Sequence, residues 1–352
     1  MKTVALLIVN YNGLAYLPQC LSAVFTTLQP DIERLVYVVD NNSTDTSVDY
    51  IRQHYPQVRL IQAKTNLGFA GGNQLGWEAI IKQGQADYIF LLNQDAYLTD
   101  RVLTQLVDFL EQHSDAAAVQ PKLLLWPDQS LINSLGNRIH YLGFGYTEGN
   151  GWPDQQIAVA PRSINYCTGA AVLLRPEVIE QLGSGLFDPE MFMYHEDLDL
   201  GWRLRLAGYR NYLVPSAVVY HQYEFQRSLR QIFYFERNRL WVGAKNYRLG
   251  TLVLLFPAWL VMELGQLFFA WKRQWLKAKL KSYSWLFSGS QWGKLWRQRR
   301  QLGRQRKVSD RVMLQEFTGQ ILFQPLAPWL LRYVANPVFA WYRRLVLLII
   351  YW

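Results

Sequence analysis

Two acidic positions in this sequence could do chemistry: Asp95, at the end of the apolar run in FLLNQDAYL (residues 90–98), and the cluster Glu196-Asp197-Leu198-Asp199. A buried strand gains nothing by ending in a carboxylate. A divalent cation bridging a diphosphate, however, needs hard oxygen ligands at a strand end, where the side chain leaves the sheet. Asp95 therefore reads as a cation ligand supported by Asn93, with a plain polar turn as the competing reading that three residues alone do not exclude. The 196–199 cluster opens a helix, whose positive dipole end favours negative charge. Helix-start acids are often structural, but a carboxylate fixed by its partners can also draw a proton from a hydroxyl.

Such residues need a frame, and the first 120 residues supply one. Short apolar runs, each ending in polar or Gly-rich residues and followed by a helix-length segment, are the pattern of a parallel sheet covered by helices. The runs are Val4 to Val9, Leu35 to Val39, Arg59 to Gln62, Tyr88 to Leu92 and Ala117 to Gln120. LAYLPQCLSAVFTTL, TDTSVDYIRQHY, GGNQLGWEAIIKQG and DRVLTQLVDFLEQH read as the helices between them, with Thr44 and Thr99 or Asp100 available as N-caps. Ligands of such sheets sit beyond the carboxyl ends of the strands. Asn10-Tyr11-Asn12, Asp40-Asn41-Asn42, the stretch Asn66 to Asn73, and Asn93-Gln94-Asp95 all stand there. The glycines of NLGFAGGNQLG follow the third strand, and no acidic residue closes a strand about 20 residues on, so a dinucleotide fingerprint is a poor reading. Gly68, Gly71 and Gly72 instead suit close approach of backbone to a ligand, with Asn66 and Asn73 bonding locally. Residues 129–162 are Gly- and aromatic-rich and read as a substrate-facing loop region. INYCTGAAVLLRPEVIEQLG reads as strand then helix, EDLDLGWRLRLAGYR as a helix ending near Gly208, and AVVYH as a strand.

The motifs IVNYNG, VVDNNSTDTS, NLGFAGGNQLG, LLNQDA, CTGAAVLLRP and FDPEMFMYHEDLDLGWRLRLAGYR, in this order over residues 1–225, resemble the inverting family 2 glycosyltransferases with the GT-A fold, rhamnosyltransferase-like branch. The resemblance implies an α/β, Rossmann-like, mainly parallel sheet with helices on both faces. It also implies a dTDP- or UDP-sugar donor, a divalent metal (Mg2+ or Mn2+) and single-displacement transfer, with rhamnose or another deoxyhexose as the sugar. By the same resemblance, the donor-binding set is Asn10, Asn12, Asp40, Asn42, Asn66, Gly68, Asn73 and Asn93, with Asp40 at the base or ribose. Asp95 and His221 are the metal ligands, Asp197 is the catalytic base, and Glu196 orients it or binds acceptor. Asn93 stands where the family's Asp-x-Asp-like element begins, which weakens the charge at the metal. Gln-Tyr-Glu-Phe follows His221 where relatives carry Gly and Ser. A non-catalytic scaffold that binds nucleotide sugar or lipid is the alternative of a different class.

The chain has 352 residues, half of them hydrophobic, enough for one large domain or for roughly 200–250 residues plus an appendage. Through Leu200 there are 11 Lys/Arg against 22 Asp/Glu, and beyond it 25 against 5, so an acidic front joins a basic rear that faces something anionic. Cys20 and Cys167 alone form no disulfide framework or metal spacing, which suits a reducing compartment. The apolar run in MKTVALLIVNYNG ends in polar residues where a leader would carry a small-residue cleavage site, so it reads as the first strand.

Residues 226–352 read as a helical, membrane-associated region. LGTLVLLFPAWLVMELGQLFFAW (249–271) holds a single charge, Glu263, and is long enough to span a bilayer. One crossing would carry the 13 basic residues of Lys272–Arg311 away from the cytosol, where nucleotide sugars are made, against the positive-inside rule. The expectation is therefore a re-entrant or in-plane element bent near Pro257 on an anionic cytoplasmic membrane surface, with a polyprenyl-linked or glycan acceptor. The competing reading is the core of a helical subdomain. Nucleic acid is disfavoured as a partner, because KLWRQRRQLGRQRK is basic but lacks a recognition module.

Overall fold

KTVALLIVN forms β1 (Lys2–Asn10), buried on both faces from Val4 to Leu7, as a strand covered by helices above and below must be. Three crossovers follow: α1 (Leu17–Thr26), β2 (Ile32–Asp40), α2 (Ser47–His54), β3 (Arg59–Gln62), α3 (Gly68–Gln83) and β4 (Tyr88–Asn93). The chain continues through β5 (Ala96–Leu98), α4 (Val102–Gln112), β6 (Ala116–Leu125), β7 (Ile132–Ser134), β8 (Asn137–Ile139), β9 (Gly145–Thr147) and β10 (Arg162–Ile164). Then come β11 (Ala171–Leu174), α5 (Pro176–Leu182), α6 (Glu196–Leu206) and β12 (Arg210–His221). The computed structural model describes residues 1–156, 160–223, 231–322, 329 and 331–352.

The main sheet runs β10-β12-β6-β11-β4-β1-β2-β3, with β5 on β12 and β7 on β6. β3, β2, β1 and β4 are mutually parallel, whereas β11 enters antiparallel between β4 and β6. The expected mixed, mainly parallel α/β sheet is thus observed, and each of the five expected strands lies within β1, β2, β3, β4 or β6. Register fixes the functional edge: Asn10 lies beside Asp40, and Val9 beside Asn93. Pro at the start of α1 and α5, and left-handed Gly84 and Gly183 after α3 and α5, mark helix ends as their backbone preferences require.

The expected caps differ. α2 is preceded by Thr46, and α4 by Arg101 in the left-handed region, neither with a side-chain cap. Thr44, Thr99 and Asp100 spend their side chains on tertiary bonds instead, to Asn12 Oδ1, Val218 O and Leu28 N. Residues 129–162 hold β7, β8, β9 and the first residue of β10, short strands where the sequence suggested only loop; 157–159 lie outside the described residues.

Two compact units are formed. One comprises Met1–Asn137, Thr147–Leu204 and Tyr209–Tyr223; the other comprises Arg138–Tyr146, Arg205–Gly208 and the chain beyond Tyr223. The division expected between residues 225 and 226 falls outside the described residues. The second unit is helical: α7 (Ile232–Asn246), α8 (Leu249–Lys272), α9 (Leu276–Leu286), α10 (Gly289–Gln305), α11 (Asp310–Glu316) and α12 (Asn336–Ile349). α8 passes through Pro257 without ending, because Leu255, Ala258 and Met262 are buried on either side of the proline and packing holds both halves.

Among the charged side chains buried in this unit, four form one cluster: Glu236 and Arg239 of α7, Glu263 of α8 and Lys279 of α9. Arg239 Nη2 lies 3.0 Å from Glu236 and also pairs with Glu263, while Lys279 Nζ lies 2.5 Å from Glu236 and 2.7 Å from Glu263. Two cations and two anions neutralise one another, and Tyr283 donates to Glu263. Glu263→Ala leaves two buried cations facing one carboxylate and is expected to lower unfolding free energy by about 3–5 kcal/mol. A urea midpoint equal to wild type would show that the cluster contributes nothing.

Candidate active site

The β1 and β2 ends interlock. Asn10, fully buried, points Nδ2 at Asp40 Oδ1 (3.0 Å), Ser43 Oγ (3.1 Å) and Ser47 Oγ (2.8 Å), while Asp40 Oδ2 accepts from Ser43 N at 3.2 Å. Asn10 Oδ1 is buried without a hydrogen-bond partner. Asn12 accepts Thr44 N at 2.7 Å, which clips the loop after β1 to the loop after β2; Asn42 is exposed in that same loop. Asn41, which the sequence reading placed at the strand end but gave no role, ties this edge to the next loop. It donates to Asn66 Oδ1 (3.1 Å) and Gly68 O (2.9 Å) and accepts from Leu67 N (2.8 Å). Asn73 lies apart from this group, buried in α3 and donating to Phe69 O of its own helix at 2.9 Å.

Gly68 is required by protein, not only by a ligand. Its φ of +71° is left-handed, and a Cβ there would stand 2.3 Å from Phe192 O. Phe192 itself forms a γ-turn, with φ 61°, ψ −61° and Met193 N donating to Met191 O at 2.6 Å. Tyr194 and His195 are left-handed as well. Three non-glycine residues in this conformation immediately before α6 form a strained segment, held by Ala70 N donating to Phe192 O at 3.0 Å.

The segment delivers Glu196 and Asp197. Asp197 accepts Gly169 N through Oδ2 (3.2 Å) and Leu198 N through Oδ1 (2.7 Å). Burial pushes its carboxyl up to about 6 despite those bonds. Burial, then the neighbouring Asp197 charge, raises Glu196 well above the carboxylate range, and Glu196 Oε2 has no hydrogen-bond partner. Asp199 is structural, paired with buried Arg203 at 2.8 Å.

Asp95 and His221 meet. Oδ1 lies 3.5 Å from Nε2, and His221 Nδ1 lies 2.9 Å from Asn133 Oδ1, a partner hidden in the stretch whose pattern carried no signal. With the Nδ1 proton assigned to the Asn133 bond, Nε2 turns its lone pair toward the carboxylate, and two acceptors face one another. That arrangement suits a cation, and Asn93 Oδ1, buried and unpartnered, adds an oxygen at the same strand end. Among the described residues there is no group of three His, Cys, Asp or Glu that could hold a metal ion by itself.

These parts share one end of the sheet. Asn93 N donates to Ala170 O at 2.9 Å, and the preceding Gly169 N holds Asp197. His221 is registered with Ala96, directly after Asp95. A Cβ on Gly13 would strike Gln94 Oε1 at 2.2 Å and Asn10 Oδ1 at 2.4 Å, so the β1 loop closes on the same turn.

A mixed, mainly parallel sheet with Asp95 just beyond β4 and Glu196 and Asp197 at the start of α6 is an arrangement of the glycosyltransferase type. A family model described as glycosyltransferase like family 2 matches residues 2–244, and the chain belongs to that family. It is 31% identical over 205 residues to an N-acetylglucosaminyl-diphospho-decaprenol L-rhamnosyltransferase of Mycobacterium tuberculosis (strain CDC 1551 / Oshkosh), covering 53% of this chain and 66% of that protein, just under two thirds. To rhamnosyltransferase WbbL of Escherichia coli (strain K12) it is 26% identical over 233 residues, 62% of this chain and 83% of the relative. In fold it is similar to GalNAc-T7, solved with UDP, GalNAc and Mn2+, with a TM-score of 0.56 at 14% identity over 70% of this chain and 48% of the other.

Two outcomes follow from this geometry. Gly68→Ala adds a left-handed cost of at least ~1–2 kcal/mol and displaces the Phe192 turn; a thermal midpoint and far-UV spectrum identical to wild type would remove the constraint. Because the folded-state pKa of Asp197 lies above 3.8, the unfolded chain gives up this proton first, and stability is lost as pH rises from about 4 through about 6. Asp197→Asn is therefore expected to raise the melting temperature at pH 7.5 and leave it unchanged at pH 4; equal shifts at both would rule out the buried carboxyl as the cause.

Proposed function

We propose that the chain is an inverting glycosyltransferase that moves rhamnose or another deoxyhexose from a dTDP- or UDP-linked donor to a polyprenyl-linked or glycan acceptor at the cytoplasmic face of a membrane. One observation carries the reading: the carboxyl of Asp197, raised toward neutrality and held by Gly169, is tied to the same strand end as the Asp95 and His221 pair. A base whose pKa lies just below ambient pH is ionised yet still basic enough to take a hydroxyl proton. The acceptor oxygen attacks the anomeric carbon opposite the diphosphate, the carbon–oxygen bond to the diphosphate breaks, and the hydroxyl proton passes to Asp197.

Asp95 and His221 would hold the divalent cation, Mg2+ or Mn2+, which supplies charge neutralisation to the leaving diphosphate. Glu196, whose burial favours the protonated form, has an Oε2 free to bond the acceptor. Asp40 and Asn10 form the floor for base or ribose, Asn12 and Asn42 its loop, and Asn66 and Gly68 the opposite loop. Asn73 acts at one remove, by fixing the α3 turn that carries Phe69. The M. tuberculosis and E. coli relatives are named rhamnosyltransferases, which supports the sugar, and the decaprenol in the former's name supports a lipid-linked acceptor.

Transfer of radiolabelled sugar to a polyprenyl diphosphate acceptor tests this. Asp197→Asn is expected to lower turnover by about 10²–10⁴-fold with donor affinity retained, and Asp95→Ala to abolish the response to added Mn2+. Wild-type turnover in the first variant would overturn the base assignment. Donor binding by the wild-type chain with no transfer to any acceptor would favour a scaffold, the reading that Asn93 in place of Asp invites.

A further inference from the structure

α8 is amphipathic the wrong way round for a helix in water. Its inward stripe holds Thr251, Leu255, Ala258, Met262 and Glu263, including its one acidic group. Its outward face is apolar throughout: Val253 is 72% exposed, Leu264 59% and Phe268 58%, with Phe256, Leu260 and Val261 between them. Soluble proteins rarely leave an apolar patch of this extent uncovered.

α12 continues the patch. Tyr342 Oη donates to Leu254 O at 2.7 Å and Trp352 Nε1 to Thr251 Oγ1 at 2.9 Å, which locks the C-terminal helix and tail along α8. Val338, Trp341, Leu348 and Ile349 of α12 are exposed beside it. α10 supplies the complementary chemistry. Leu295 and Leu302 are buried, while Trp292, Trp296, Arg297, Arg300 and Arg304 share the opposite, solvent-facing side. Indole rings and guanidinium groups on one helix face match a headgroup layer with anionic phosphates.

Glu263 decides between spanning and lying flat. It sits in the middle third of the 24-residue helix and is locked to Arg239 and Lys279 on α7 and α9. A helix crossing the bilayer would carry this four-charge cluster, and the two helices that share it, to the depth of the hydrocarbon, where such groups are costly. Lying in the plane, α8 keeps the cluster on its aqueous side.

We infer that the exposed apolar face of α8 and α12 embeds in one leaflet of an anionic membrane, in-plane and without crossing it, with the Trp and Arg face of α10 seated among the headgroups. The inference deepens the membrane placement proposed above, but its readout is lipid binding by the full chain without donor, so it stands or fails apart from transfer activity.

The test uses vesicle sedimentation of the purified chain, with vesicles of phosphatidylcholine alone or with phosphatidylglycerol. Phe256→Glu with Leu264→Glu is expected to abolish binding to both. Arg297, Arg300 and Arg304 all changed to Ala should weaken binding to phosphatidylglycerol vesicles only, by roughly 100-fold at low salt, about fivefold per charge. Circular dichroism melts of both variants report folding. Binding that survives the double Glu change in a folded protein overturns the proposal, as does a stable lipid-free dimer that ignores vesicles and so covers the face with a second copy. Topology is read in expressing cells by a Ser290→Cys variant, since Cys20 and Cys167 are buried. A membrane-impermeant maleimide should label it in inverted vesicles and not in intact spheroplasts; labelling from outside would mean that α8 spans.

Discussion

The parallel pairing of β1 with β2 and β4 is the constraint on which the site depends. Because Asn10 is registered with Asp40 and Val9 with Asn93, the three strands finish at one level, and the polar residues that follow them can meet. Because β1 is buried on both faces from Val4 to Leu7, a slip along its neighbours would draw the half-buried Thr3 into the covered span and move Asn10 away from Asp40, so burial and the polar ends are satisfied by one register. Core packing and site geometry are therefore one condition. The antiparallel insertion of β11 extends it, since the backbone just before β11 holds both Asn93 and Asp197.

The two acidic centres are set apart by their surroundings. Asp197 gains two backbone donors, which favour its anion, yet burial dominates and raises its carboxyl. Asp95 instead faces an imidazole nitrogen already oriented by Asn133, a pairing that favours a cation between them. The strained turn at Phe192 belongs to the same arrangement: left-handed residues before α6 are tolerated because Ala70 and Gly68 receive the turn, so the loop after β3 and the acidic start of α6 form one assembly.

Much of this was legible in the sequence because strand ends declare themselves. Apolar runs stopping at Asn10, Asp40, Asn93 and His221 marked the edge, and the polar residue after each run was the candidate. Asn73, read as bonding locally, does so: its side chain donates to Phe69 O of its own helix. Asn41, Asn133 and Gly169 had no assigned role because theirs come from partners 25 or more residues away, and no local pattern encodes such partners. The caps fared no better: Thr44, Thr99 and Asp100 have cap chemistry, but tertiary acceptors and donors claimed them first. Membership in the family 2 glycosyltransferases followed from motif order rather than from any single residue.

The second unit inverts the usual distribution of polarity, and its buried charges explain how it can do so. A helical unit that turns apolar side chains outward has fewer of them left for its interior, and part of that volume must be filled by something that holds helices together. Glu236, Arg239, Glu263 and Lys279 fill it as a neutral set in which every charge has an opposite partner within hydrogen-bond reach. Such a cluster contributes less stability than a hydrophobic core of equal volume, but each pairing is directional and fixes how α7, α8 and α9 are rotated about their axes. Rotation is the property the outward face requires, because turning α8 by half a revolution would bury Leu260 and Leu264, expose Leu255 and Met262 and carry Glu263 away from Arg239 and Lys279. The ionic core and the apolar exterior are thus two sides of one helix orientation, and neither is stable in its position without the other.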